Sequence, residues 1–236
     1  MPDANTKLLL HMNSDFSDSS DSGHTPTVNG ATIDTGIKKF GAGSGKFVSA
    51  SSQYVTFSDS VDWTMGNGDW TVEAWFRRAG AVAALEIIFG QIGVTGANID
   101  ASFFGGIQPS GAFWAGTNIG VVSHQLTGST TGLNDGNQHH YAMVRSGINF
   151  LLFADGVLDA SLADLGTSSI NDSAFNFSIG RMGERVGNYY NGHVDEFRIS
   201  KGVARWTSDF TPPTSEYNGA PPSGDISIFR RRIEGG

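Results

Sequence analysis

The most constraining feature of this chain is a run of short apolar stretches, each set off from the next by a glycine-containing pair. Between Gln138 and Leu162, Tyr141-Ala142-Met143-Val144, Phe150-Leu151-Leu152-Phe153 and Val157-Leu158 are separated by Ser146-Gly147 and Asp155-Gly156. Such pairs supply the positive φ angles of two-residue hairpin turns, so the stretch predicts a three-stranded antiparallel meander. Further pairs at Asn29-Gly30, Asn67-Gly68, Asp135-Gly136 and Asn191-Gly192 predict turns elsewhere. Period-two alternation predicts strands around 8–11, 46–48, 54–57, 86–89, 112–115, 175–179 and 193–199. In Trp70-Thr71-Val72-Glu73-Ala74-Trp75-Phe76 both alternating sets carry bulk. This strand is therefore expected inside a sheet with something packed on each side. Many short strands joined by tight turns predict an all-β, two-sheet antiparallel β-sandwich of the jelly-roll kind. The first and last strands are expected to pair with each other.

Composition narrows the function classes. The 32 glycines and only 16% charged residues disfavour long helices. No cysteine is present, which excludes disulfides and thiolate metal sites. A net charge of −8, with scattered Lys and Arg, argues against nucleic acid. No apolar run reaches the ~20 residues a bilayer demands, so membrane insertion is not expected. Met1-Pro2-Asp3-Ala4-Asn5 has no basic segment followed by an apolar one, so no signal peptide is expected and synthesis in a cytoplasm is. One domain is expected over residues 1–217. The Pro- and Gly-rich stretch from Asn218 to Gly224 then reads as a linker, and Asp225–Gly236 as a tail suited to assembly.

Four segments carry a family resemblance: Gly68–Phe76, Asp135–Arg145, Asn191–Ser200, and Gly202-Val203-Ala204-Arg205-Trp206-Thr207 followed by Phe210-Thr211-Pro212-Pro213. In order and spacing they resemble the concanavalin A-like, laminin G-like jelly-roll superfamily, and the fourth resembles the end of laminin G-like modules in bacteriophage structural proteins. The resemblance implies two curved antiparallel sheets of six or seven strands. It also implies a structural Ca²⁺ near the first loop, for which Asp18, Asp21 and Asp195 are the candidates. Fold alone does not select a function.

His139-His140 suggests a metal pair, but neighbours on a strand point to opposite faces, so a structural role is expected. Asp195-Glu196 is the only tight carboxylate pair on an expected strand. A retaining glycosidase needs two carboxylates on one face, about 5–5.5 Å apart. Regular alternation sends these two to opposite faces, and the alternate positions hold His193 and Phe197, so no catalysis is expected. Neither a nucleophile elbow nor a phosphate loop occurs.

Sugar binding by sandwiches uses flat rings flanked by polar side chains. Trp63, Trp114, Tyr189 and Tyr190 lie near turn-rich segments, and the 180–192 loop gathers Arg181, Glu184, Arg185, Asn188, Tyr189 and Tyr190. The expected carbohydrate contacts are Trp114, Arg185, Asn188, Tyr189 and Tyr190. Together with the resemblance, these features predict a non-enzymatic virion component, on a phage tail or capsid surface. It would associate with other virion proteins as a homo-oligomer, a trimer among the options, and bind host-surface glycan. A free-standing lectin is the alternative, and a glycoside hydrolase or lyase a weaker one.

Overall fold

The computed structural model describes residues 3–95 and 97–217. The expected linker and tail, 218–236, lie outside the described residues. Fifteen strands run in chain order: β1 Thr6–Leu10, β2 Pro26–Asn29, β3 Thr32–Asp34, β4 Ser44–Phe47, β5 Tyr54–Phe57, β6 Trp70–Ala79, β7 Glu86–Ile92, β8 Ala101–Ile107, β9 Phe113–Ile119, β10 Val122–Thr127, β11 Asp135–Ser146, β12 Asn149–Ala154, β13 Val157–Leu162, β14 Phe177–Ile179 and β15 Gly192–Lys201.

They form two antiparallel sheets. Sheet A has eight strands, one more than expected, in the order β13-β12-β11-β6-β15-β4-β3, with β1 also paired to β15. Sheet B has seven, in the order β10-β9-β8-β7-β14-β5-β2. The expected meander is β11-β12-β13, and the expected pairing of first and last strands is β1 with β15, Leu10 facing Phe197. Asp155-Gly156 makes its turn with both residues at positive φ, 49° and 81°. The earlier turn falls one residue later than expected, at Gly147-Ile148, because Ser146 pairs with Asn149. Asp135-Gly136 and Asn191-Gly192 are not hairpin turns: they begin or adjoin β11 and β15.

Alternate residues of the two sheets fill one core. Leu8, Phe47, Phe57, Trp70, Val72, Phe76, Phe89, Phe103, Phe113, Tyr141, Phe150 and Phe177 all belong to it. Arg78 on β6 forms a two-bond ion pair with Glu86 on β7 at 2.9 and 2.8 Å and ties the sheets together at one rim.

Part of the outer face of sheet A is also covered, as the bulk on both sides of β6 predicts. The segment 202–217 folds back across it. Trp206 and Phe210 stack at 3.8 Å and 8°, and pack on Ala142, Val144, Leu151 and Phe153. Beneath this strap lies Glu73, fully buried, accepting two bonds from Arg198 (2.9 and 2.6 Å) and one from the Trp206 indole (2.8 Å). Arg205 is held by Asp3, Ser200 and Thr6. Tyr217 closes the strap, donating its backbone N–H to Glu196 and meeting His140 through its hydroxyl at 2.9 Å. The fourth family-like segment is therefore a clamp that shields a charged network from water.

Candidate functional site

Between β14 and β15 the chain crosses from sheet B to sheet A through residues 180–191, and this crossover first lies down on the outer face of sheet B. Glu184 N–H donates to Ile92 O at 2.9 Å, and Ser178 Oγ donates to Gly183 O at 2.9 Å. So close an approach requires Gly183: its φ is +54°, and a Cβ there would sit 2.3 Å from Ile92 N. Met182 then joins Ile87, Ile92, Ala101, Phe104 and Trp114 in a small apolar layer outside the main core.

Three side chains build a shelf beside that layer. The Arg181 guanidinium lies 3.6 Å above the Tyr54 ring, and Tyr54 stacks with Tyr189 at 6.3 Å and 26°. All three are half-buried, and Arg181 Nε is buried with no hydrogen-bonding partner among the described residues. Asn188, at φ +52°, donates its amide to Leu85 O at 2.7 Å and so fixes the turn that presents Tyr189. Arg185 is exposed on the same loop. A cation held over one flat ring with a second ring alongside offers a stacking surface together with hydrogen-bond donors.

The expected contact residues divide. Tyr189, Asn188 and Arg185 belong to this loop surface. Trp114 lies on the same sheet face, but it is only 7% exposed and stacked on Phe104 at 4.8 Å. Tyr190 must be reassigned. It is fully buried, its ring in the main core and its hydroxyl donating to Arg77 O at 2.9 Å, because the chain turns inward between 189 and 190. Trp63 is also fully buried. Arg181 lies in the loop expected to meet a ligand, but Tyr54 was not expected there; it sits 127 positions from Arg181 in sequence, and only pairing of β5 with β14 brings them together.

The expected calcium ligands are not gathered. Asp18 spends both oxygens on β1 and its own loop, accepting from Leu9 N, Ser20 N, Ser20 Oγ and His24 N at 2.8–3.0 Å. Asp195 accepts from the backbone of Lys39 and Phe40 at 2.6 and 3.1 Å. Asp21 is exposed. Among the described residues no group of three His, Asp or Glu side chains is placed to hold a metal ion.

The Asp195-Glu196 pair also differs from expectation. β15 carries a bulge there: Asp195 pairs with Trp75 and Arg198 with Glu73, leaving an extra residue between, and Glu196 takes φ +51°. The bulge resets alternation so that Val194, Phe197 and Ile199 all reach the core. Both carboxylates then serve the covered outer side, Glu196 accepting from Tyr217 N at 2.7 Å and meeting His11 Nδ1 at 2.8 Å. Opposite faces are thus not what separates them from catalysis; both are about 1% exposed and committed to protein donors. Burial, reinforced by the Glu196 charge and opposed by the Lys39 and Phe40 amides, raises Asp195 to about 6. His139 and His140 take separate structural roles as expected, His139 between Asp135 and Asp155 and His140 against Tyr217.

Comparison with solved structures finds the same architecture in several binding domains. The binding domain of Paraclostridial Mosquitocidal Protein 1 matches with a TM-score of 0.67 at 13% identity, over 84% of this chain and 49% of that one. A botulinum neurotoxin type C structure, whose cell entry is described as dependent on two ganglioside molecules, matches with a TM-score of 0.64 at 12% identity, over 91% of this chain and 49% of that one. Domain 4 of AbnA, an extracellular arabinanase from Geobacillus stearothermophilus solved with arabinotriose, matches with a TM-score of 0.61 at 17% identity, over 86% of this chain and 95% of that one. The chain thus spans about half the length of the toxin structures and nearly all of the arabinanase domain. No curated protein sequence matches it. A family profile described as the concanavalin A-like lectin/glucanases superfamily, of laminin G-like type, matches residues 49–207, about two thirds of the chain. The chain belongs to the concanavalin A-like lectin/glucanases superfamily, as a laminin G-like domain.

Proposed function

We propose that this domain is a non-enzymatic carbohydrate-binding module whose contact surface is the shelf of Arg181, Tyr54 and Tyr189. The observation that carries the reading is the half-buried stack of the Arg181 guanidinium on the Tyr54 ring with Tyr189 alongside. Apolar sugar faces stack on such rings, while hydroxyl groups accept from the guanidinium. The arabinotriose-bound arabinanase domain, matched over nearly its whole length, supports the same reading. Catalysis is left out because Asp195 and Glu196 are buried and engaged.

Isothermal titration of the full chain against a panel of neutral oligosaccharides that includes arabinotriose tests this. A panel member is expected to bind, and Tyr189→Ala to weaken it at least about tenfold, or about 1.4 kcal/mol. Absence of heat across the panel refutes the reading.

The same proposal places the module in a virion, on a tail or capsid surface, made in a host cytoplasm and assembled as a homo-oligomer with other particle proteins. Its support is the resemblance of the 202–213 strap to phage structural modules. Detection of the protein in purified particles checks it, and a freely secreted protein absent from particles favours the lectin alternative.

A further inference from the structure

A second polar surface lies on the opposite sheet, near the same rim. Pairing across five strands of sheet A places Thr32, Lys46, His193, Arg77 and Gln138 in one continuous row: Thr32 faces Lys46, Lys46 faces His193, His193 faces Arg77, and Arg77 faces Gln138. The neighbouring residues Phe47, Val194 and Phe76 belong to the core, so the row points outward. Farther along the same face, Trp75 is covered by Phe40 and Lys39. At the row itself a cleft of about 200 Å³ opens, lined by Lys46, Arg77, His193 and Asn191 together with Val48 and Ala79. Drug-sized sites run to ~300–1,000 Å³, so this cleft is sized for a single sugar ring or smaller group.

The row is electrostatically unbalanced. Lys46 and Arg77 flank His193 from the strands on either side. The charged groups facing the row are Lys46, Arg77 and Asp34, with Lys39 beyond. Asp34 meets His193 Nε2 at 3.1 Å and Lys46 Nζ at 3.9 Å, and among the described residues no carboxylate pairs with Arg77. Among the described residues Arg77 spends only Nε on a protein acceptor, Gly136 O at 2.6 Å. Hydrogen-bonding capacity is also left over: His193 Nδ1 and both amide atoms of Gln138 are buried and unpartnered among the described residues. With the Asp34 carboxylate on Nε2, neutral His193 keeps its proton there and Nδ1 is an acceptor.

We propose that this row binds the carboxylate-bearing ring of an acidic saccharide, with Lys46 and Arg77 taking the carboxylate and the His193 and Asn191 side of the cleft meeting hydroxyl groups. A bare anion would use the cations and leave the acceptor and amide groups unanswered, whereas a uronic acid carries both kinds of partner on one ring. This site is separate from the Arg181–Tyr54–Tyr189 shelf and stands whether or not the shelf binds neutral sugar.

Amide NMR titration of the full chain tests it, with trigalacturonate, arabinotriose and inorganic sulfate as probes. Trigalacturonate is expected to shift the amides of residues 45–47, 138 and 191–194, with affinity falling at least about tenfold in Lys46→Gln and severalfold between about 0.05 and 0.5 M NaCl. Lys46 is 46% exposed, so that variant is expected to fold, and an unchanged amide spectrum elsewhere confirms it. No shift with trigalacturonate overturns the proposal, as does binding that Lys46→Gln and salt leave unchanged. Sulfate producing the same shifts with equal affinity overturns the saccharide assignment. Shifts at 54 and 189 with arabinotriose report on the shelf alone, so the two readings fail independently.

Discussion

Replacing Glu73 by Gln tests whether the network under the 202–217 strap is held by charge. The carboxylate is fully buried, takes three hydrogen bonds from Arg198 and Trp206, and has Arg205 Nε at 3.8 Å and His140 Nε2 at 3.5 Å. Burial by itself would raise its pKa; the charges of Arg198, His140 and Arg205 outweigh burial and hold it at about 2, against 4.5 for the free side chain. A folded-state pKa below the unfolded one means stability that is present above pH 4.5 and lost as pH falls toward 2. From that difference the magnitude is about 3 kcal/mol. Breaking one member of a buried ion network costs about 3–5 kcal/mol by comparison with other proteins, so the two routes agree. In Glu73→Gln one acceptor oxygen becomes a donor facing donors, Arg198 stays buried without its counter-charge, and Arg205 keeps only Asp3. Urea unfolding at pH 7 should show a loss of about 3 kcal/mol or more, and the melting temperature should drop by roughly 6–15 °C. The variant should also lose the wild-type fall in stability between pH 4.5 and 2.5 that this group supplies. A loss below about 1 kcal/mol with the acid limb intact would refute the argument, and would mean that strap packing alone holds the face.

Asp195 gives the opposite sign. Burial raises its folded pKa to about 6 from 3.8, so the stability it contributes is present below pH 3.8 and declines as pH rises through 6. Asp195→Asn keeps an acceptor for the Lys39 and Phe40 amides and should stabilise the domain at pH 7 by about 1–3 kcal/mol, with no gain at pH 4, read by urea unfolding at both pH values. Gly183→Ala should cost about 1–3 kcal/mol, since it combines a positive φ with a Cβ 2.3 Å from Ile92 N. Faster hydrogen exchange confined to 181–189 would show that the crossover loop has lifted from sheet B.

Features that depend on local periodicity and turn chemistry are legible along the chain. The β11-β12-β13 meander and the strand expected at 70–76, packed on both faces, follow from alternation and from the Asp155-Gly156 pair, whereas the β1–β15 closure is set by pairing across the sheet. Strands β2, β3, β8 and β10 were not legible. β8 reads as a loop because Gly105 and Gly106 interrupt it, yet a Cβ at Gly105 would lie 2.5 Å from the Tyr141 hydroxyl and one at Gly106 would lie 2.3 Å from Glu86 O. Those glycines serve packing between partners that the sequence does not place side by side.

Tertiary structure alone decided which side chains are available to a ligand. Tyr189 and Tyr190 are identical in sequence terms, but one stacks with Tyr54 and the other is sealed in the core. The bulge at Glu196 resets alternation, because one positive φ in a strand moves every later side chain to the other face. Lys46, Arg77 and His193 lie far apart along the chain and become a row only through the register of β4, β15 and β6. Periodicity reports which face a residue takes on its own strand. Which neighbours it meets there depends on pairing across the sheet, and that is set by burying the whole core at once.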